Sequence, residues 1–307
     1  MPAFLHSAML AEVRLRNSLI DSTEISIDLY LSSCLGLIDN SPGRVDLLHC
    51  LRVFFRGIFE DLLYLLYLDF FFRGNRRHLL AWANRNAFYY VLDRQTGQFL
   101  LARPFARQTW AAGIDSAGRP QARPSARPTS AGTLVYPGVS GATNWWSPSF
   151  SPRTGLLYVP VLEEGSTFFS EPVRYARGEA FAGSGGHMSG DVQTAVRALD
   201  PLTGVMRWEH RFKPRMEWHR TGGILSVAGD LVFIGDETVF YALDARTGAE
   251  LWRFNTGGKI SAAPVTYVAN GKQYVVIAAG RSFMAFGIGT AAPGAGSASA
   301  GGAGSSR

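Results

Sequence analysis

"ALDPLTGVMRW" (residues 198–208) and "ALDARTGAELW" (residues 242–252) are one phrase written twice, Ala-Leu-Asp-x-x-Thr-Gly-x-x-x-Trp, at an offset of 44 residues. Each copy reads as a hairpin. A strand ends on Ala-Leu-Asp, the aspartate is placed to accept hydrogen bonds from turn amides, and the glycine supplies the positive φ that the turn needs. The following strand carries the tryptophan. A weaker copy, "VLDRQTGQFLL" (residues 91–101), keeps Asp93, Thr96 and Gly97 but has Leu101 where the tryptophan would stand. A period of this length in β-like text indicates propeller blades rather than a helical solenoid.

Strands can be read outward from these hairpins. "GILSVAG", "DLVFIGD", "TVFYALD" and "AELWRF" (between residues 223 and 254) fit one four-stranded blade. "SAAPVTYV", "QYVVIAA" and "SFMAFG" (between 261 and 287) supply three strands of a further blade with no obvious fourth. The predicted β-region is 75–287, short aromatic and β-branched runs punctuated by Gly, Asp and Pro. Residues 1–74 are rich in leucine and phenylalanine and show helix-like spacing at Leu47, Leu48, Leu51, Phe54 and Phe55, so this segment is expected to be helical or poorly ordered. Residues 288–307 form a Gly/Ala/Ser tail with almost nothing to bury, expected to be disordered. The fold class expected is all-β, a partial β-propeller with a helical N-terminal segment.

Composition narrows the function classes. The chain has 307 residues, 47% of them hydrophobic, enough for a sizeable core. Its net charge of +6 comes from scattered arginines, with only Lys213, Lys259 and Lys272 as lysines; this spread argues against a nucleic-acid surface. Cys34 and Cys50 lack zinc-ligand spacing and read as core thiols or a disulfide. The apolar stretch 51–72 is broken by Arg52, Arg56, Glu60, Asp61 and Asp69, so no transmembrane span is expected, and the N-terminus does not read as a signal peptide. His187 in "GSGGHMSG" is expected on a surface loop, and Glu163, Glu164 and Glu179 as solvated loop charges.

The repeat phrase resembles the tryptophan-docking motif of the pyrroloquinoline-quinone (PQQ) dehydrogenases, the quinoprotein alcohol dehydrogenase family with an eight-bladed propeller. "LLAWANRNAFYYVLDRQTGQFL" (79–100), "PFARQTWAAGIDSAGRP" (104–120), "YPGVSGATNWWSPSFSPRTGLLYVP" (136–160), "TGGILSVAGDLVFIGD" (221–236) and "GKQYVVIAAG" (271–280) are similar to its C-terminal half, in order. The resemblance implies PQQ as cofactor, with Ca²⁺, an alcohol or sugar as substrate, a respiratory electron acceptor as partner, and a periplasmic location.

The resemblance also carries site residues. Arg85 matches an arginine that binds the quinone's dicarbonyl edge, where a fixed cation stabilises charge developing on oxygen. Asn144, in "ATNWWSP", matches an asparagine that contacts the quinone, or else caps a turn; Trp145 and Trp146 would pack within and between blades. Thr221 stands where many members have a tryptophan, ahead of Gly222 and Gly223, which would let backbone approach the axis; Thr221 and Gly222 complete the cofactor-binding candidates, and Trp218 is either a substitute indole or a packing residue. The family's calcium ligands and catalytic aspartate are not recognisable, so the catalytic residue is unknown and no metal ligand is assigned. The chain is accordingly expected to be a truncated, weakly active or inactive PQQ-dependent oxidoreductase; the alternative is a non-catalytic propeller scaffold, which would need only the repeat.

Overall fold

The computed structural model describes residues 65–72, 74–172, 174, 177, 185–213 and 221–287. Alternation of apolar and polar residues along short runs gives each strand one face to bury, and strands joined by tight turns pair with their neighbours in sequence. The first sheet is a meander of β1 (Leu65–Phe72), β2 (Asn75–Ala83), β3 (Phe88–Asp93) and β4 (Phe99–Pro104). A small hairpin follows, β5 (Ala111–Ile114) with β6 (Pro120–Ala122). The second sheet contains β7 (Thr133–Val135), β8 (Ser149–Ser151), β9 (Leu156–Phe168), β10 (Gly186–Leu199) and β11 (Met206–Arg211). The third runs β12 (Thr221–Val227), β13 (Leu231–Asp236), β14 (Val239–Asp244), β15 (Glu250–Asn255), and the fourth β16 (Val265–Ala269), β17 (Lys272–Ala279), β18 (Ser282–Gly287). The last two sheets are the four-stranded and three-stranded units read from the sequence.

Helix is nearly absent from the described residues, where one three-residue 3₁₀ turn, Pro124–Ala126, stands alone. The all-β reading holds, with one correction. Leu65–Phe72, within the segment expected to be helical or poorly ordered, is a strand paired along its whole length with β2. The helical reading of residues 1–64, with Cys34, Cys50 and Asp61, and the reading of the tail 288–307 lie outside the described residues.

Successive sheets pack face to face, and the aspartate hairpins are the joints. Asp244 Oδ1 accepts the amides of Arg246 (2.9 Å) and Thr247 (2.8 Å), and Gly248 has φ +73°. Asp200 Oδ1 does the same for Leu202 and Thr203, and Asp93 Oδ1 for Gln95 and Thr96. Each turn glycine except Gly97 is then covered by a ring from the preceding sheet. Trp208 of β11 lies over Gly248 so closely that a Cβ there would collide with it, and its Nε1–H donates to Ala245 O at 3.1 Å. Over Gly204 the ring is Tyr89, whose hydroxyl donates to Pro201 O at 2.8 Å. Pro201 and Ala245 occupy the same place in their hairpins, so a phenol replaces the indole that the sequence lacks at Leu101. Gly97 belongs to the first sheet, and a Cβ there would meet nothing within 4 Å.

Three separate apolar cores lie between adjacent sheets, one around Leu79, Tyr89 and Val159, a second around Tyr158, Trp208 and Ile234, a third around Phe240, Ile260 and Ile277; the two joints close the first and second. The outward face of the fourth sheet, by contrast, is apolar and exposed. Register places Val265 beside Val276, Tyr267 beside Tyr274 and Ala278 beside Phe283, and Phe283 is 83% exposed.

Candidate functional site

Sheet two has a broken edge strand. β7 pairs with the Ser166–Phe168 end of β9 and β8 with its Leu156–Tyr158 end. The 13 residues between them, 136–148, leave the sheet and run alongside the middle of β9. This excursion contains the Asn-Trp-Trp stretch. Glycines make it possible: a Cβ on Gly138 would strike the Ser166 side chain and the Gly165 backbone, and Gly141 adopts φ +76° with Arg85 Cβ only 2.9 Å from where its own Cβ would be.

Arg85 approaches the excursion from the turn between β2 and β3. Two asparagines lock that turn: Asn84 Oδ1 accepts the Asn86 amide at 2.9 Å and Asn86 Oδ1 accepts the Phe88 amide at 3.0 Å. Arg85 is left exposed at the apex. Its Nη2–H donates to Val139 O (2.8 Å), and its carbonyl accepts the Ala142 amide (2.8 Å). Asn144 secures the next carbonyl along, Nδ2–H to Ser140 O at 2.9 Å, while its Oδ1 accepts the Trp145 amide at 2.9 Å. Arg85 and Asn144 thus fix adjacent carbonyls of one loop, and Asn144 does cap a turn. Of the paired tryptophans, Trp146 is buried and Trp145 is 41% exposed, their rings 6.1 Å apart; alternation along the chain sends one inward and one out.

Between turn and excursion lies a cavity of about 360 Å³ lined by Asn84, Arg85, Asn86, Trp110, Pro137, Gly138, Val139 and Gly141. It is a depression wide open to solvent rather than an enclosed pocket. Arg85 is the only charged residue of this lining, and the remaining guanidinium N–H groups have no partner among the described residues. Trp110 forms one wall, held by its Nε1–H donating to Asn86 O at 2.9 Å. A cation, two carboxamides and an indole facing one cavity can bind a planar, anionic, aromatic ligand by charge, hydrogen bonds and stacking.

Thr221 and Gly222 lie elsewhere. Thr221 is fully buried at the start of β12, its hydroxyl donating to Gly235 O at 3.1 Å. Gly222 is a close-approach glycine, since a Cβ there would sit 2.6 Å from Ala262 O. The third-sheet strand touches the excursion two residues further on, where Ile224 N–H donates to Ser147 O at 2.9 Å. The structure brings Arg85 and Asn144 to one loop, but of the four candidates only Arg85 lines the cavity; Asn144, Thr221 and Gly222 lie outside the lining. Trp218 and Glu179 lie outside the described residues.

Two expectations are overturned, one of them in part. His187 is exposed, as expected, but lies on strand β10 rather than in a loop, opposite Thr167, with its ring 5.6 Å from Phe169. Glu163 and Glu164 are not solvated charges. Glu163 pairs with the buried Arg197 at 2.8 Å, and Glu164 is itself buried and accepts the Ser140 hydroxyl at 2.8 Å. Both were misread because strand β9 is long, and carries them past the point where the aromatic and β-branched pattern stops.

Among the described residues, no group of three or more His, Cys, Asp and Glu side chains converges as a metal site, and no carboxylate lines the cavity. The described donor set therefore does not fit Ca²⁺. Among the same residues no helix is long and apolar enough to cross a membrane.

Comparison with known proteins places these features. Residues 206–275 match the PQQ family model described as glucose/ethanol/alcohol dehydrogenase, beta-propeller domain. The chain is 37% identical over 219 residues to quinoprotein alcohol dehydrogenase PedH of Pseudomonas putida, covering 67% of this chain and 36% of that protein. It is 37% identical over 214 residues to the quinoprotein ethanol dehydrogenase of Pseudomonas aeruginosa, covering 65% and 34%. Among solved structures it resembles quinohemoprotein alcohol dehydrogenase ADHIIG of Pseudomonas putida HK5 at TM-score 0.63 and 31% identity, over 71% of this chain and 34% of that one. A europium-containing methanol dehydrogenase gives TM-score 0.63 and 30% identity, over 69% and 38%. The chain spans about a third of the length of the curated relatives it matches.

Proposed function

We propose, from the premise that this chain is a homologue of the PQQ-dependent quinoprotein alcohol dehydrogenases, that it serves as a PQQ-dependent oxidoreductase for CH–OH groups of alcohols or sugars. Its sheets would contribute the Arg85 side of the quinone site. Bound quinone would supply the hydride acceptor. The chain's own residues would orient it: Arg85 through guanidinium N–H groups not used on Val139, and Trp110 by stacking. Asn144 would act by holding the loop that Arg85 grips. The observation that carries this reading is the exposed Arg85, the one charged residue lining the cavity between the β2–β3 turn and the excursion.

The general base and any Ca²⁺ ligands are not among the residues lining this cavity, so weak or absent turnover by the described sheets alone is part of the proposal. A periplasmic setting and a respiratory electron acceptor are proposed on the same family grounds. A second reading, a non-catalytic scaffold, is favoured by the apolar outer face of sheet four. Dye-linked alcohol oxidation by the full chain supplied with PQQ and Ca²⁺ separates the two: PQQ-dependent dye reduction supports the oxidoreductase, whereas neither turnover nor saturable PQQ uptake leaves the scaffold.

A further inference from the structure

Glu163 and Glu164 are neighbours on β9, so their side chains leave the strand on opposite faces. Each meets a different loop. Glu163 Oε1 accepts the Arg107 amide at 2.8 Å, anchoring the segment that carries Trp110. Glu164 accepts twice from the excursion: its carbonyl takes the Gly138 amide at 2.6 Å, and its Oε1 takes the Ser140 hydroxyl at 2.8 Å. Both loops contribute to the Arg85 cavity, the first through Trp110 and the second through Pro137–Gly141, alongside the β2–β3 turn.

We infer that Glu164 is a positioning residue for Arg85 and Asn144, acting through Ser140. The connection is short. Ser140 carries the carbonyl that Asn144 Nδ2 holds, and the preceding residue, Val139, carries the one that Arg85 Nη2 holds. Backbone contacts alone tie Gly138, and Ser166 Oγ accepts the Val139 amide at 3.0 Å. Only the Glu164 carboxylate reaches Ser140's side chain among the described residues. Glu164 is 7% exposed and Ser140 half-buried, so an apolar replacement takes away the hydroxyl's fixed acceptor and leaves at best mobile water in its place. The Ser140 carbonyl would then swing, and the guanidinium grip on its neighbour would loosen. A carboxamide keeps the acceptor and keeps the loop. This inference rests on the reading that the cavity receives quinone.

Two readouts on the full chain test it, in wild type and in Glu164→Leu, Glu164→Gln and Ser140→Ala. The first is PQQ affinity, by quenching of tryptophan fluorescence; the second is hydrogen–deuterium exchange of residues 138–145 without ligand. Affinity is expected to fall about tenfold or more in Glu164→Leu and Ser140→Ala and to stay near wild type in Glu164→Gln. Exchange of 138–145 should rise in the first two variants only, while exchange in β12–β15 is unchanged. Unaltered loop exchange in both Glu164→Leu and Ser140→Ala overturns the inference, whatever the quinone result. Raised loop exchange with no PQQ uptake even by wild type upholds Glu164's positioning role and sinks the quinone reading instead.

Discussion

Trp208 of the second sheet covers Gly248 of the third, its indole ring occupying the place a Cβ on that glycine would need and its N–H reaching Ala245 O at 3.1 Å. The joint depends on the glycine twice, for space and for φ +73°. Gly248→Ala is expected to destabilise the chain by about 2–4 kcal/mol, from overpacking against the ring and left-handed backbone strain together. Urea unfolding with an unchanged slope measures it; a cost under about 0.5 kcal/mol, the range of an ordinary surface change, would show that the ring simply moves aside.

Ala87 offers the opposite case. It sits at φ +73° in the turn that presents Arg85, a conformation glycine adopts freely. Ala87→Gly is expected to stabilise by about 0.5–1 kcal/mol, as relief of backbone strain outweighs the added freedom of the unfolded chain. A lower melting temperature would mean that the buried methyl matters more.

Glu209, in the Arg197 network, is one of the carboxylates through which acid should destabilise the chain. Burial pushes the Glu209 carboxyl up, but hydrogen bonds from Arg211 and Arg197 outweigh it and hold the group below its ordinary value. A depressed carboxyl contributes stability that is full above the unfolded pKa, about 4.3, and is lost as pH falls through the folded value. Glu209→Gln should therefore flatten the loss of stability below about pH 4.3. At pH 7 it should be less stable than wild type, because Arg197, 6% exposed, loses one of its two carboxylates. Equal acid slopes for the two proteins would contradict this.

The outer face of sheet four, with Phe283, Val265 and Tyr267 exposed, is expected to drive concentration-dependent association. Phe283→Lys should lower it, as read by sedimentation velocity over a range of loading concentrations. Identical profiles for variant and wild type would place the sticky surface elsewhere.

The hairpins were legible because their chemistry is local: Asp, Thr and Gly at fixed offsets specify the turn wherever it occurs, and the strands of the last two sheets follow from them. β1 was not, since alternating and helical spacings overlap in a run where nearly every residue is Leu, Phe or Tyr, and pairing with β2 decides the matter. Tyr89's part in covering Gly204 was hidden for another reason. The repeat assigns that role to position 101, whereas the ring comes from the strand before. Arg85 and Asn144 were legible only through the family motif; that they hold adjacent carbonyls depends on the path of the excursion, and the buried Glu164 beneath it has no signature in single-sequence pattern.

Calorimetric titration of the full chain with PQQ, in wild type, Arg85→Ala, Asn144→Ala and the double variant, tests most directly whether the two side chains serve one ligand. Saturable binding is predicted, weakened at least about tenfold by either change, with the double variant losing less than the sum because both act through the same loop. Wild-type affinity retained by Arg85→Ala, or strictly additive losses, would contradict the account.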